Sequence, residues 1–182
     1  MKNALILHGT SGNSKENWFS WLDAELKKNG YHVWTPDLPH ADKPNVQRYN
    51  KYIFPKWKFD KESILIGHSS GAVAILGILQ DLPSNVVIDK AYLVAGFTDD
   101  LGWDPLKELF LEPFNWKKIK TQARKFILYH SDDDPYVVLK YGEELRDRLN
   151  GELIVMSGQG HFNLEKGPQY KQFPELLEKI LS

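Results

Sequence analysis

Short runs of apolar, often β-branched residues alternate along this chain with longer segments in which apolar residues recur every three or four positions. The short runs suit strands of a sheet covered on both faces, and the longer segments suit helices that lay one face on it. Six strands are predicted: Asn3 to Leu7, His32 to Thr35, Ile64 to Ile66, Lys90 to Val94, Lys125 to Tyr129 and Leu153 to Met156. Helices are predicted at Trp18 to Asn29, Val46 to Lys56, Ser70 to Leu82, Pro135 to Leu149 and Tyr170 to Leu181. In the first helix Trp18, Trp21, Leu22 and Leu26 share a face, and Gly30 ends it. Pro135 suits the first position of the fourth, where a missing N–H costs nothing. The alternation predicts an α/β fold, a three-layer doubly wound sandwich on about six parallel strands.

One segment, Phe97 to Lys118, breaks the alternation and is dense in aromatics, Asp and Pro. A stretch of this length is expected to form either a lid or pocket wall, or a helix packed on the sheet. No repeat, low-complexity tract or linker interrupts the 182 residues, so one domain spanning 1–182 is expected.

Composition narrows the chemistry. The formal net charge of -1, without blocks of like charge, gives no attraction to nucleic acid or to an anionic membrane. A small neutral substrate is the simpler expectation, and no protein partner is indicated. The absence of cysteine removes thiolate nucleophiles and thiolate metal sites, leaving a hydroxyl as the candidate nucleophile. Met1 to Leu7 is too short for a signal segment, and no apolar run approaches the roughly 20 residues of a membrane span. A cytoplasmic location is expected by default.

The strongest local signal is Ile64-Leu65-Ile66-Gly67-His68-Ser69-Ser70-Gly71-Ala72, a strand running through Gly-x-Ser-x-Gly into an apolar helix. That is the context of a nucleophile elbow, in which the glycines relieve crowding and Ser69 stands above the sheet. The helix from Ser70 aims backbone N–H groups and its positive end at the same point, where an oxyanion would form. Spacing selects Ser69 over Ser70. His68 reads as a packing residue whose side chain points elsewhere. A second oxyanion donor is expected from Leu7-His8-Gly9-Thr10-Ser11-Gly12, through the N–H of Thr10 paired with that of Ser70. That loop fits neither a dinucleotide fingerprint nor a P-loop, and no metal-ligand spacing occurs, so neither cofactor nor metal is expected.

A serine hydroxyl needs a histidine to take its proton and a carboxylate to orient that histidine, in chain order Ser, acid, His. Only His161, in Ser157-Gly158-Gln159-Gly160-His161-Phe162, follows the last strand. The acid is expected after the fifth strand, in Ser131-Asp132-Asp133-Asp134-Pro135, where the residues alone do not choose among three aspartates. Asp134 also suits a helix N-cap before Pro135.

These residues, with Pro36-Asp37-Leu38-Pro39 and Phe114-Asn115-Trp116, resemble the small α/β-hydrolase family of the retinoblastoma-binding-protein serine hydrolase and its bacterial relatives. The resemblance covers essentially the whole chain. It implies a six-stranded parallel sheet without the first antiparallel strands of larger α/β-hydrolases, and serine-hydrolase reactivity towards small acyl substrates. It also implies that the triad acid is the aspartate before the proline, Asp134. Two positions depart from the pattern: Ser70 stands where many relatives carry a large apolar residue, and His130 replaces a common small one. The expected function is hydrolysis of a carboxylic ester, or an amide, through an acyl-enzyme, in a pocket walled by His8, Phe97 and Trp116. The rivals are a binding module that keeps the fold without the chemistry, and a peptidase or acyltransferase.

Overall fold

The computed structural model describes residues 1–182 as a six-stranded sheet. The strands are β1 (Asn3–Leu7), β2 (His32–Trp34), β3 (Ser63–His68), β4 (Ile88–Val94), β5 (Ala123–Ser131) and β6 (Glu152–Met156). All five pairings are parallel, in the order β2-β1-β3-β4-β5-β6. The helices are α1 (Phe19–Lys28), α2 (Val46–Ile53), α3 (Ser70–Asp81), α4 (Trp116–Ile119), α5 (Leu139–Leu149) and α6 (Pro174–Leu181).

Alternate residues of each strand feed opposite cores, as the period of two requires. Leu5, Leu7, Leu65, Ala91, Leu93 and Leu128 pack with residues of α2, α3 and α5. Their neighbours Ala4, Ile6, Ile64, Ile66, Tyr92 and Tyr129 pack with α1 and α6. Each fully buried Leu or Ile contributes roughly 1.5–3 kcal/mol, so the central strands, apolar on both faces, anchor the domain. No helix is long and apolar enough to cross a membrane.

Strands β3, β4 and β5 run longer than predicted, in part because polar residues join their ends: Ser63 and His68, Asp89, and Arg124 and His130. Hydropathy does not mark such positions, but the ladder includes them. The fourth predicted helix starts four residues late, at Leu139. Pro135 does not open it and Asp134 does not cap it. Asp134 Oδ1 does accept the N–H groups of Tyr136 and Val137, as a cap would, but the turn it closes is not continued and the helix begins only at Leu139. The last helix is likewise split, with a short 3-10 turn at Pro168–Lys171 and α6 beginning at Pro174. The 97–118 segment is partly wall and partly packing. It carries a 3-10 helix, Asp104–Phe110, and then α4, and it buries Phe97, Leu106 and Leu109 against Val46, Val73 and Val137.

The ends of β1 and β3 meet where the strand order reverses, the place where ligands bind in open parallel sheets. His130, also on β5, is fully buried with neither ring nitrogen hydrogen-bonded. Its ring lies so close to α5 that a Cβ on Gly142 would come within 2.6 Å of it. Burial lowers its pKa from 6.5 to about 4. Unfolding restores the higher value, so this group costs stability as pH falls from about 6.5 towards 4. Replacing it with valine (H130V) should therefore raise stability, and by more at pH 5 than at pH 8. Urea melts at the two pH values test this, and an acid-side loss as steep as in the parent chain would refute it.

Candidate active site

Strand β3 enters Gly67 and leaves Ser69 at φ 56° and ψ −124°, a left-handed value that costs a non-glycine residue about 1–3 kcal/mol. Two contacts hold it there. The Ser69 N–H donates to the Val94 carbonyl at 2.8 Å, and α3 follows at once with Ala72 N–H donating to the Ser69 carbonyl at 2.9 Å. The glycines are sterically required. A Cβ on Gly71 would lie 2.4 Å from the Leu7 carbonyl oxygen, and one on Gly67 would lie 2.5 Å from that of Gly71. Ser69 thus sits at the head of α3, on the floor of a cavity of about 600 Å³.

The loop after β1 forms the facing wall through Gly9, Thr10, Ser11 and Gly12. Thr10 Oγ1 donates to Ser70 Oγ at 2.9 Å, tying the two expected oxyanion donors together by their side chains. The Thr10 N–H bonds no protein acceptor, and the Ser70 N–H, first of its helix, has no carbonyl one turn back to bond. Two amides beside the serine are therefore available. Behind them His8 Nδ1 donates to the Gly9 carbonyl at 2.8 Å, and His8 Nε2 accepts the Leu38 N–H at 2.9 Å. Burial lowers the His8 pKa, against the pull of that first bond, which favours the neutral ring.

On the other side of the cavity, His161 Nδ1 lies 2.8 Å from Asp134 Oδ2, with both side chains almost wholly buried. The remaining aspartates have separate tasks. Asp132 Oδ1 accepts the Gly158 N–H at 2.8 Å, and Asp133 Oδ1 the Gly160 N–H at 2.6 Å. Between them Ser131 Oγ accepts the Gln159 N–H at 2.8 Å. Four consecutive residues of the acid loop thus hold four consecutive residues of the histidine loop. Lys166, bonded to Asp133 at 2.7 Å, keeps that carboxyl well below the usual range, helped by the Ser131 hydroxyl and the Gly160 amide. The Gly158 amide does the same for Asp132.

The structure brings Ser69, His161, Asp134, Thr10 and Ser70 together, but it moves the expected wall. Phe97 is buried in the apolar cluster under the 3-10 helix and does not line the cavity. Trp116 packs on the α3 side, its ring under the Arg148 guanidinium, and does not line it either. His8 has both nitrogens committed to backbone and supports the Gly9 loop from behind. The apolar wall comes instead from Phe19, Leu101, Trp103, Leu106, Tyr136, Val137 and Leu164. Of these, Tyr136 stands in the Asp-Pro-Tyr stretch and Leu164 three residues after His161, so proximity to the motifs was the available signal. Trp103 carried none beyond its segment. The reading of His68 also changes, because its ring lines the cavity and Nε2 bonds the His161 carbonyl at 2.7 Å. No three His, Asp or Glu side chains converge as metal ligands would.

A parallel sheet with an elbow at its switch point, a paired amide site and a buried His–Asp couple define an α/β-hydrolase. Within that class the chain belongs to the serine hydrolase family, whose sequence model matches residues 4–181. It is 28% identical over 184 residues to the rat serine hydrolase RBBP9, covering 98% of this chain and 94% of that one. Identity to the YdeN protein of Bacillus subtilis is 25% over 168 residues, covering 91% and 88%. The crystal structure of YdeN superposes with a TM-score of 0.91 at 23% identity, covering 100% of this chain and 97% of that chain. Est1E of Butyrivibrio proteoclasticus, solved with ferulic acid bound, gives a TM-score of 0.74 at 15% identity, with 99% of this chain and 86% of that chain covered.

Truncating Asp133 to alanine should release the Gly160 amide and lower the stability of the fold. Hydrogen exchange at Gly160 and a urea melt measure this, and an unchanged exchange rate would mean that the contact holds nothing.

Proposed function

We propose that this serine hydrolase cleaves small carboxylic esters through an acyl-enzyme, with Ser69 as nucleophile, His161 as base and Asp134 as orienter. The observation that carries the reading is the buried bond between Asp134 Oδ2 and His161 Nδ1, in the wall of the cavity whose floor is Ser69. With Nδ1–H donated to the carboxylate, Nε2 is left as the proton acceptor.

As Ser69 Oγ bonds to the carbonyl carbon, its proton passes to His161 Nε2 and the oxyanion is held by the Thr10 and Ser70 N–H groups. Breaking the ester C–O bond then takes that proton to the departing alcohol. Water repeats the steps against the acyl-Ser69, releasing the acid and restoring the hydroxyl. Hydrolysis of this kind needs no cofactor. The cavity wall of Leu101, Leu106, Val137, Trp103 and Tyr136 suits an apolar acyl or aryl group, and the volume limits its size. Solved structures of similar fold include an esterase domain from Rhodothermus marinus and the esterase PE8, which supports the ester reading. Peptidase and acyltransferase activities share the same first half-reaction, and a cavity of about 600 Å³ suits a small-molecule substrate.

Turnover of p-nitrophenyl esters of graded chain length, together with fluorophosphonate labelling, tests the reading. Ser69→Ala should lose labelling and on the order of 10⁶ in turnover. Ser70→Ala keeps its amide and should still be labelled. Asp134→Asn should lose about 10⁴, far more than Asp132→Asn. Undiminished labelling of Ser69→Ala, or a larger loss at Asp132 than at Asp134, would overturn the assignment.

A further inference from the structure

We infer that His68, the residue before the nucleophile, is a positioning residue for the base: its ring N–H holds the main chain of His161 while its ring bounds the space in which that imidazole turns. The inference rests on the reading of Ser69 and His161 given above.

Along β3 the side chains of Ile64, Ile66 and His68 share one face, the one covered by α1 and α6. His68 therefore points beneath the His161 loop, with Trp18 and Phe19 around it at ring separations of 6.1 and 5.9 Å. A carbonyl oxygen can only accept, so the 2.7 Å contact with the His161 carbonyl must be donated by Nε2–H. That bond fixes the tautomer. Burial keeps the ring uncharged, lowering its pKa to about 3, and the neighbouring His161 acts in the same direction. Neutrality matters because the His161 ring lies only 4.8 Å away and must itself become charged during turnover. A cation at position 68 would oppose that step.

The other anchors of this loop come from elsewhere. Trp18 of the α1 face holds the Phe162 carbonyl at 3.0 Å, and the acid loop holds the amides of residues 158 to 160. His68 alone links the base loop to the strand that carries the nucleophile. Tyr136 also lies against the imidazole, edge to face at a ring separation of 5.2 Å. One donor on β3 thus sets how far the His161 loop stands from Ser69, the separation on which proton transfer depends.

The test compares His68→Gln with His68→Met, side chains of similar length of which only the first keeps a terminal N–H. Thermal melts check folding, and His68→Phe replaces the methionine variant if that one does not fold. His68→Met should lower kcat on an activated ester by roughly ten- to a hundredfold, with KM nearly unchanged. The downfield proton resonance of the His161–Asp134 bond should broaden by faster exchange. His68→Gln should recover most of both. Wild-type kcat in His68→Met, or a glutamine variant no better than the methionine one, overturns the inference. Should the wild-type chain prove neither labelled nor esterolytic, the proposed function fails separately. The proton resonance then decides on its own, since sharpness retained in His68→Gln and lost in His68→Met upholds the positioning role, and equal behaviour refutes it.

Discussion

The contact on which the rest of this molecule depends is the approach of backbone to backbone where the first turn of α3 meets the end of β1. A Cβ on Gly71 would sit 2.4 Å from the Leu7 carbonyl oxygen and 2.5 Å from that of His8, so no side chain of any kind can occupy that space. This closeness lets Thr10 reach Ser70, and it holds Ser69 in a backbone conformation the residue would not choose. The sheet and helix around it absorb the strain. Two parallel strands joined side by side at Leu7 and Gly67 then present their ends, and everything chemical hangs from those ends.

Much of this was legible in the residues. Alternation of short apolar runs with helical periods located all six strands, because a sheet covered on both faces leaves a signal in every strand. The elbow was legible because crowding demands glycine on both sides of the serine, and His161 because it follows the last strand. What escaped detection was set by hydrogen bonds rather than by hydropathy. Asp134 captures two backbone amides in the manner of a cap, yet the turn it closes stands apart from α5, which begins at Leu139. The cavity wall was misassigned for a different reason. Phe97 fills a core cluster and Trp116 covers the edge of another, and composition does not distinguish an aromatic residue that packs from one that lines.

The three consecutive aspartates illustrate how a tie in sequence is broken in space. Each accepts from the histidine loop, but only the last reaches a ring nitrogen, since only its side chain points into the buried side of the turn. The other two are solvent-facing and grip main-chain amides. Nothing in an isolated Asp-Asp-Asp run assigns these tasks. The family resemblance pointed to Asp134, the aspartate that here bonds His161, and the geometry shows that the preceding carboxylates hold main-chain amides of the same loop.

The division between the two halves of the cavity has a consequence for how such a chain can change. Ser69, His161 and their supports are suspended from strand ends that five parallel pairings hold in register. Leu101, Trp103 and Leu106 belong to a segment outside every strand pairing, fastened by a small apolar cluster and by side-chain bonds such as Thr98 to Glu144 and Arg48 to Glu108. Substitutions and length changes in that segment leave the hydrogen-bond ladder intact. A lineage built on this plan can reshape the cavity wall while Ser69 and His161 keep their places on the sheet, so variety of shape and constancy of frame are both written into the same fold.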